Sequence, residues 1–109
     1  MGFFGKLMRA NSKSLAGWVE GSITDLKRGE RQVSVENGKV VLWIVGKDDI
    51  IIEPSQVKAF ELASADIRRQ YGNNIMFCDS YLIALTNGET GTMTIFKGKV
   101  ADIKLALKK

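Results

Sequence analysis

The chain predicts a mostly β domain of consecutive antiparallel strands, flanked by a helix at each end. Three observations carry this. β-Branched apolar runs at residues 40–45 and 50–52 are split by the polar turn Gly46-Lys47-Asp48-Asp49, and a third run, 57–62, follows Pro54-Ser55-Gln56. Asn37-Gly38 and Asn87-Gly88-Glu89-Thr90 are hairpin turns, because Asn and Gly accept the positive φ that tight turns demand. With 109 residues, 45% hydrophobic and 26% charged, there is material for one core and not for two.

Taken in order, residues 3–19 read as an amphipathic helical segment, followed by a β domain over 20–109. At 100° per residue, Phe3, Phe4, Leu7, Met8, Leu15, Trp18 and Val19 fall within an arc of about 160°. Lys6, Arg9 and Lys13 cluster opposite. Asn11 and Ser14 interrupt the arc, so two short helices are an equal description, with Asn11 or Ser12 capping the second. Such a segment suits either an anionic membrane surface or a cover over an open end of the sheet. The stretch 21–26, GSITDL, reads as a short strand and 27–31 as a charged turn. Val33 and Val35 then alternate with polar neighbours up to Asn37-Gly38, and 39–45 answers as a central strand covered on both faces.

Pro54 ends the next strand, since it has no N–H to give a ladder. Val57, Ala59 and Glu61 alternate with Lys58, Phe60 and Leu62 to continue the meander. Residues 63–74 change character and read as a short helix after Ser64, or as a polar connection ending in the turn Gly72-Asn73-Asn74. Residues 75–86 hold apolar runs on each side of Asp79-Ser80, a bulge, bend or turn. The last strand is 92–96. From Lys97 onward Val100, Ile103 and Leu107 share a helical face, with lysines in the last turn where the helix dipole favours them. Ile103, Leu105 and Leu107 also alternate with period 2, and helix is the preferred reading.

Chemistry is constrained mainly by what is missing. The chain has no histidine, which removes Ser-His-Asp and Cys-His catalysis and His-ligated metals. One cysteine, Cys78, excludes zinc-finger patterns and an internal disulfide, so a reducing, cytoplasmic setting is expected. Asp48-Asp49 lacks calcium-loop spacing, and NGETG is not a phosphate-binding glycine loop. The expectation is no enzyme, no cofactor and no metal. Apolar runs fall far short of the roughly 20 residues that span a bilayer. Net charge is +4: residues 1–19 carry +3, residues 97–109 carry +4 and the middle −3. Basic ends on an acidic body point to an anionic partner or to solvated faces.

The phrase IIIEPSQVKAFEL, through Ile50, Ile52, Pro54, Ser55, Val57 and Phe60, resembles a strand–turn–strand phrase of the pleckstrin-homology-like (PH-like) superfold, in particular its short bacterial and GRAM-like members. YLIALTNGETGTMTIF before a final amphipathic helix is similar as well, and together they cover roughly residues 32–109. The resemblance implies a strongly bent sheet or partly open barrel of about seven strands, capped by the last helix, with a binding role and no catalysis. Phosphoinositide-binding members place Lys and Arg in the first hairpin loop, and the turn matched to it here, Glu36-Asn37-Gly38-Lys39, holds one base and one acid.

Three functions are therefore expected in descending order. The first is an adaptor that binds a protein partner or its own kind. The second is peripheral attachment to anionic membranes through Phe3, Phe4, Lys6, Leu7, Arg9, Lys13 and Trp18. The third is a small nucleic-acid-binding barrel, disfavoured because the strand aromatics rarely neighbour bases. Lys104, Lys108 and Lys109 are the candidate anion contacts.

Overall fold

The computed structural model describes residues 15–109. In these, β1 (Leu15–Glu20), β2 (Glu30–Glu36), β3 (Lys39–Trp43), β4 (Ile50–Ile52), β5 (Val57–Tyr71), β6 (Asn74–Leu85) and β7 (Thr90–Phe96) form one antiparallel sheet in the order β4-β3-β2-β1-β7-β6-β5. A single α-helix, α1 (Val100–Leu107), follows. The mostly β reading, the antiparallel meander and the terminal helix are as the sequence predicts.

Local chemistry sets the turns. Asn37 and Gly38 take φ of 53° and 75°, joining β2 and β3 by a two-residue loop, and the register runs from Glu36↔Lys39 to Gln32↔Trp43. Val40, Val41, Leu42 and Trp43 are all buried, so β3 is covered on both faces as its unbroken apolar run implies. Trp43 donates its indole N–H to Ser34 Oγ at 2.9 Å, which satisfies the ring's polar atom inside the core. Arg31, 3% exposed, donates Nε to the Thr24 carbonyl at 2.7 Å and a terminal nitrogen to the Asp48 carbonyl at 2.9 Å. One buried guanidinium thereby ties the β1–β2 connection to the β3–β4 turn.

The core gathers Val19, Ile23, Val33, Leu42, Ile52, Ile83, Met93 and Ile95 from the strands, with Ile103, Ala106 and Leu107 of α1 packed into the same cluster. The helix stops in a Schellman motif. Lys108 turns left-handed at φ 57°, its N–H bonds the Leu105 carbonyl at 3.1 Å, and the Lys109 N–H bonds the Lys104 carbonyl at 2.9 Å.

Four expectations need correction. Residues 15–19 are strand, not helix: β1 pairs with β2 on one side and with β7 on the other. The rest of the expected N-terminal helix lies outside the described residues. The 22–24 stretch is a one-turn 3-10 helix rather than a strand, with Thr24 Oγ1 bonded to the Gly21 carbonyl. Residues 63–71 are neither helix nor connection but the second half of β5, and the two-residue loop Gly72-Asn73 joins it to β6. Asp79-Ser80 is neither bend nor turn, since β6 runs unbroken through both; the bulge expected there is present in the pairing, with its extra residues on β5.

Candidate functional site

The β5–β6 hairpin is longer than the sheet that holds it. The last β6–β7 pair is Cys78↔Phe96, so residues 74–77 and their β5 partners 68–71 project past the end of β7. Directly paired residues share a face. One face of the hairpin therefore carries Ile67, Cys78, Arg69, Met76, Tyr71 and Asn74, and the other carries Leu62, Tyr81, Asp79, Arg68, Phe77, Gln70 and Ile75. Of these, 68–71 and 74–77 form the overhang.

The inner part of the first face is closed by the fold itself, while Tyr71 and Asn74 at its tip are exposed. Trp18 of β1, 5% exposed, lies edge-on to Phe96 (5.2 Å between ring centres) and to Tyr71 (5.7 Å). The Arg69 guanidinium sits 3.7 Å from the Trp18 ring centre and forms a two-armed ion pair with Glu30, one arm at 3.0 Å. Cys78 is buried here, and burial pushes its thiol pKa up, away from a reactive thiolate. Trp18 is thus a packing residue of the sheet, not a surface contact. Of the other candidate membrane residues, Phe3, Phe4, Lys6, Leu7, Arg9 and Lys13 lie outside the described residues.

The second face is open. Leu62, Phe77 and Ile75 are 56%, 54% and 56% exposed. At its inner end Phe60 stacks on Tyr81 at 4.6 Å, Tyr81 pairs with Leu62, and Lys104 Nζ lies 5.5 Å from the Tyr81 ring centre. Further out the Arg68 guanidinium is 5.7 Å from the Phe77 ring centre. Among the described residues neither Arg68 nor Lys104 forms an ion pair. Lys104 is the candidate anion contact that the structure brings to this surface. Lys108 and Lys109 are exposed at the end of α1, where their backbone closes the helix.

Between these two ends, β5 departs from regular pairing. Its register with β6 slips between Val57 and Ala59, between Leu62 and Ser64, and between Ser64 and Ile67. Asp66 holds the last irregularity with φ 61°, its N–H donated to Asp79 Oδ1 at 3.1 Å. Lys97 Nζ bridges both carboxylates at 2.8 Å. The bond from Lys97 and the Asp66 N–H hold the Asp79 carboxyl below its usual range, and the two carboxylates raise the pKa of Lys97. A depressed carboxyl stabilises the fold above its unfolded pKa and loses that effect as pH falls through the folded value. A raised lysine acts in the opposite sense and holds until the pH climbs past its unfolded value, about 10.4. The bulge is therefore expected to stay clamped from about pH 4 to about pH 10 and to loosen in acid. Amide exchange at 64–67 should quicken as the pH-corrected rate is followed below 4, and Asp79→Asn should abolish that dependence. A titration midpoint for Asp79 at or above 3.8 would contradict the clamp.

On the opposite side of the sheet, the row Glu20–Thr92–Leu82–Glu61 crosses four strands and floors a groove of about 840 Å³. Ala59, Ala84 and Thr90 line it as well, and Lys27 and Arg28 of the β1–β2 connection overhang it. Among the described residues these two bases, Glu20 and Glu61 form no ion pair. With β1 placed in the sheet, the first hairpin connection is 21–29 with Lys27 and Arg28, not the Glu36-Asn37-Gly38-Lys39 turn. Among the described residues no group of three or more acids or cysteines is arranged to hold a metal, and no helix is long and apolar enough to cross a membrane.

Sequence reasoning missed Leu62, Arg68, Ile75 and Phe77 as a shared surface. The available signal was the alternation on both sides of Gly72-Asn73, IRRQY before it and NIMF after it. Comparison with known protein families, with curated proteins and with solved structures finds no match.

Proposed function

We propose that this chain is a non-catalytic, PH-like binding domain of the cytoplasm that engages a protein partner through the open face of its β5–β6 hairpin. The observation that carries the reading is the overhang itself. Leu62, Ile75 and Phe77 stay more than half exposed on one face of the hairpin, Ile75 and Phe77 in the overhang and Leu62 inward of Asp79, where burying the exposed part of each would be worth roughly 1 kcal/mol. The PH-like part is supported by a seven-strand meander whose first strand pairs with its last, with a terminal helix packed into the core. Three register slips between Val57 and Ile67 spoil that length of β5 as a template for strand addition, and the face is the surface on which the apolar side chains are exposed.

A photo-crosslinking residue placed at position 77 should yield a discrete protein adduct in cells, either a foreign partner or a second copy. Leu62→Asp should abolish it. The same probe at position 51, equally exposed on the far edge strand, should yield none. Adducts from neither position, or alike from both, would overturn the reading.

A second reading, peripheral attachment to anionic membranes, is favoured by Lys27 and Arg28, exposed and unpaired in the first connection. It requires salt-sensitive cosedimentation with phosphatidylserine vesicles that Lys27→Gln with Arg28→Gln removes.

A further inference from the structure

The charges of the open hairpin face bear on what chemistry it binds. Arg68 and Lys104 each stand beside an aromatic ring of this face, over Phe77 and Tyr81, and neither has a carboxylate partner. Asp66 and Asp79 share the single ammonium of Lys97, so that cluster keeps one negative charge in excess, but it pairs with neither Arg68 nor Lys104. Two cations without a carboxylate of their own thus stand at the two ends of this face, Lys104 beside the Tyr81–Leu62 pair and Arg68 beside Phe77. They mark off the distance from Tyr81 to Phe77, four strand residues or about 13 Å.

Shape narrows the occupant further. The face continues the core-facing side of the sheet, where Tyr81 and Ile83 are buried, and α1 stands at its inner end with Lys104. A chain segment running along the hairpin from Tyr81 to Phe77 meets both cations.

We propose, on the reading that this face is the binding surface, that its partner is an acidic, apolar segment. The segment places apolar side chains on Leu62, Phe77 and Ile75, and carboxylates against Arg68 and Lys104. Burying an anion there offsets two cations that an apolar partner alone would strand beside it.

The test uses three 18-residue amphipathic helical peptides with one shared leucine face, flanked by Glu, Gln or Lys. Affinity is read by anisotropy and location by NMR shifts at Leu62 and Phe77. The Glu peptide should bind at least about tenfold more tightly than the other two, a difference of about 1.4 kcal/mol. Arg68→Glu with Lys104→Glu should invert that order in favour of the Lys peptide. Both side chains are exposed, and circular dichroism checks that the variant folds. Equal binding of all three peptides, lost in Phe77→Ser, would overturn the acidic partner while leaving the hairpin as a binding surface. Binding of phosphatidylserine vesicles in place of any peptide, dependent on Arg68, would overturn it in favour of lipid. Failure of peptides and vesicles alike would overturn it too, and crosslinking from position 77 then decides separately whether the hairpin binds protein.

Discussion

Replacing Trp18 by alanine is expected to destabilise the domain by about 4 kcal/mol, the size seen when a buried indole is removed and its site cannot collapse. Three neighbours would lose their packing at once: Phe96 and Tyr71 at the ring edges, and Arg69 over the ring face. Arg69 also holds Glu30, so the loss spreads to the start of β2. Small domains are stable by roughly 5–15 kcal/mol, and one such change consumes a large share. Denaturant unfolding followed by fluorescence suits the measurement, since Trp43 remains as a buried reporter. Trp18→Phe keeps an aromatic body and should lose much less. A Trp18→Ala protein within 1 kcal/mol of the parent, with no lipid present, would mean that the indole is not part of the folded domain.

Gly17→Ala should cost about 3 kcal/mol or prevent folding, for a different reason. A β-carbon at position 17 would lie 2.0 Å from the Thr94 carbonyl oxygen and 2.9 Å from the Ile95 Cα. Both obstacles are backbone of the paired strand, so neither swings aside as a flexible side chain would. Relief requires β1 to lift away from β7, and that seam closes the sheet between its two halves. Gly98→Ala is the matched control: a β-carbon there meets nothing within 4 Å, and its stability should stay within about 0.5 kcal/mol of the parent. Equal midpoints for the two variants would show that the β1–β7 seam is looser than the structure has it.

These two positions also show why part of the fold was legible from the residues and part was not. The β2–β3 hairpin announces itself because Asn37-Gly38 and the alternation of Val33 and Val35 are local signals, and α1 does so through Val100, Ile103 and Leu107. β1 has no such signal. Its residues 15–19 are buried on both faces, so period 2 is absent, and Leu15, Trp18 and Val19 happen to extend a helical arc. The second half of β5 was hidden by its own bulges. Each register slip inserts one residue and flips the alternation; the two slips between Leu62 and Ile67 cancel, so Leu62, Arg68 and Gln70 share a face while the residues between them break the period-2 pattern. Asp79 and Ser80 look like a turn because they are polar, yet Asp79 is there to hold Asp66 and Lys97, and Ser80 is buried opposite Thr94. The candidate site followed the same division. Lys104 could be named from helix periodicity, whereas Phe77 and Leu62 become neighbours of the two cations only through long-range pairing.

The pairing of β1 with β7 has a consequence for how the molecule is made. Gly17 meets Ile95, and most of the chain lies between them. A ribosome delivers the β2–β3 hairpin early, but β1 stays half-paired until the final strand emerges, and α1 packs only after that. Closing so distant a contact is slow compared with local hairpins and helices. During that interval one edge of the nascent sheet, including Val19 and Trp18, is open to other chains. A polypeptide stalled or cut before Phe96 would keep its early strands and lack the one that seals them. Synthesis rate and chaperone supply should therefore govern the soluble yield of this protein more strongly than surface substitutions do.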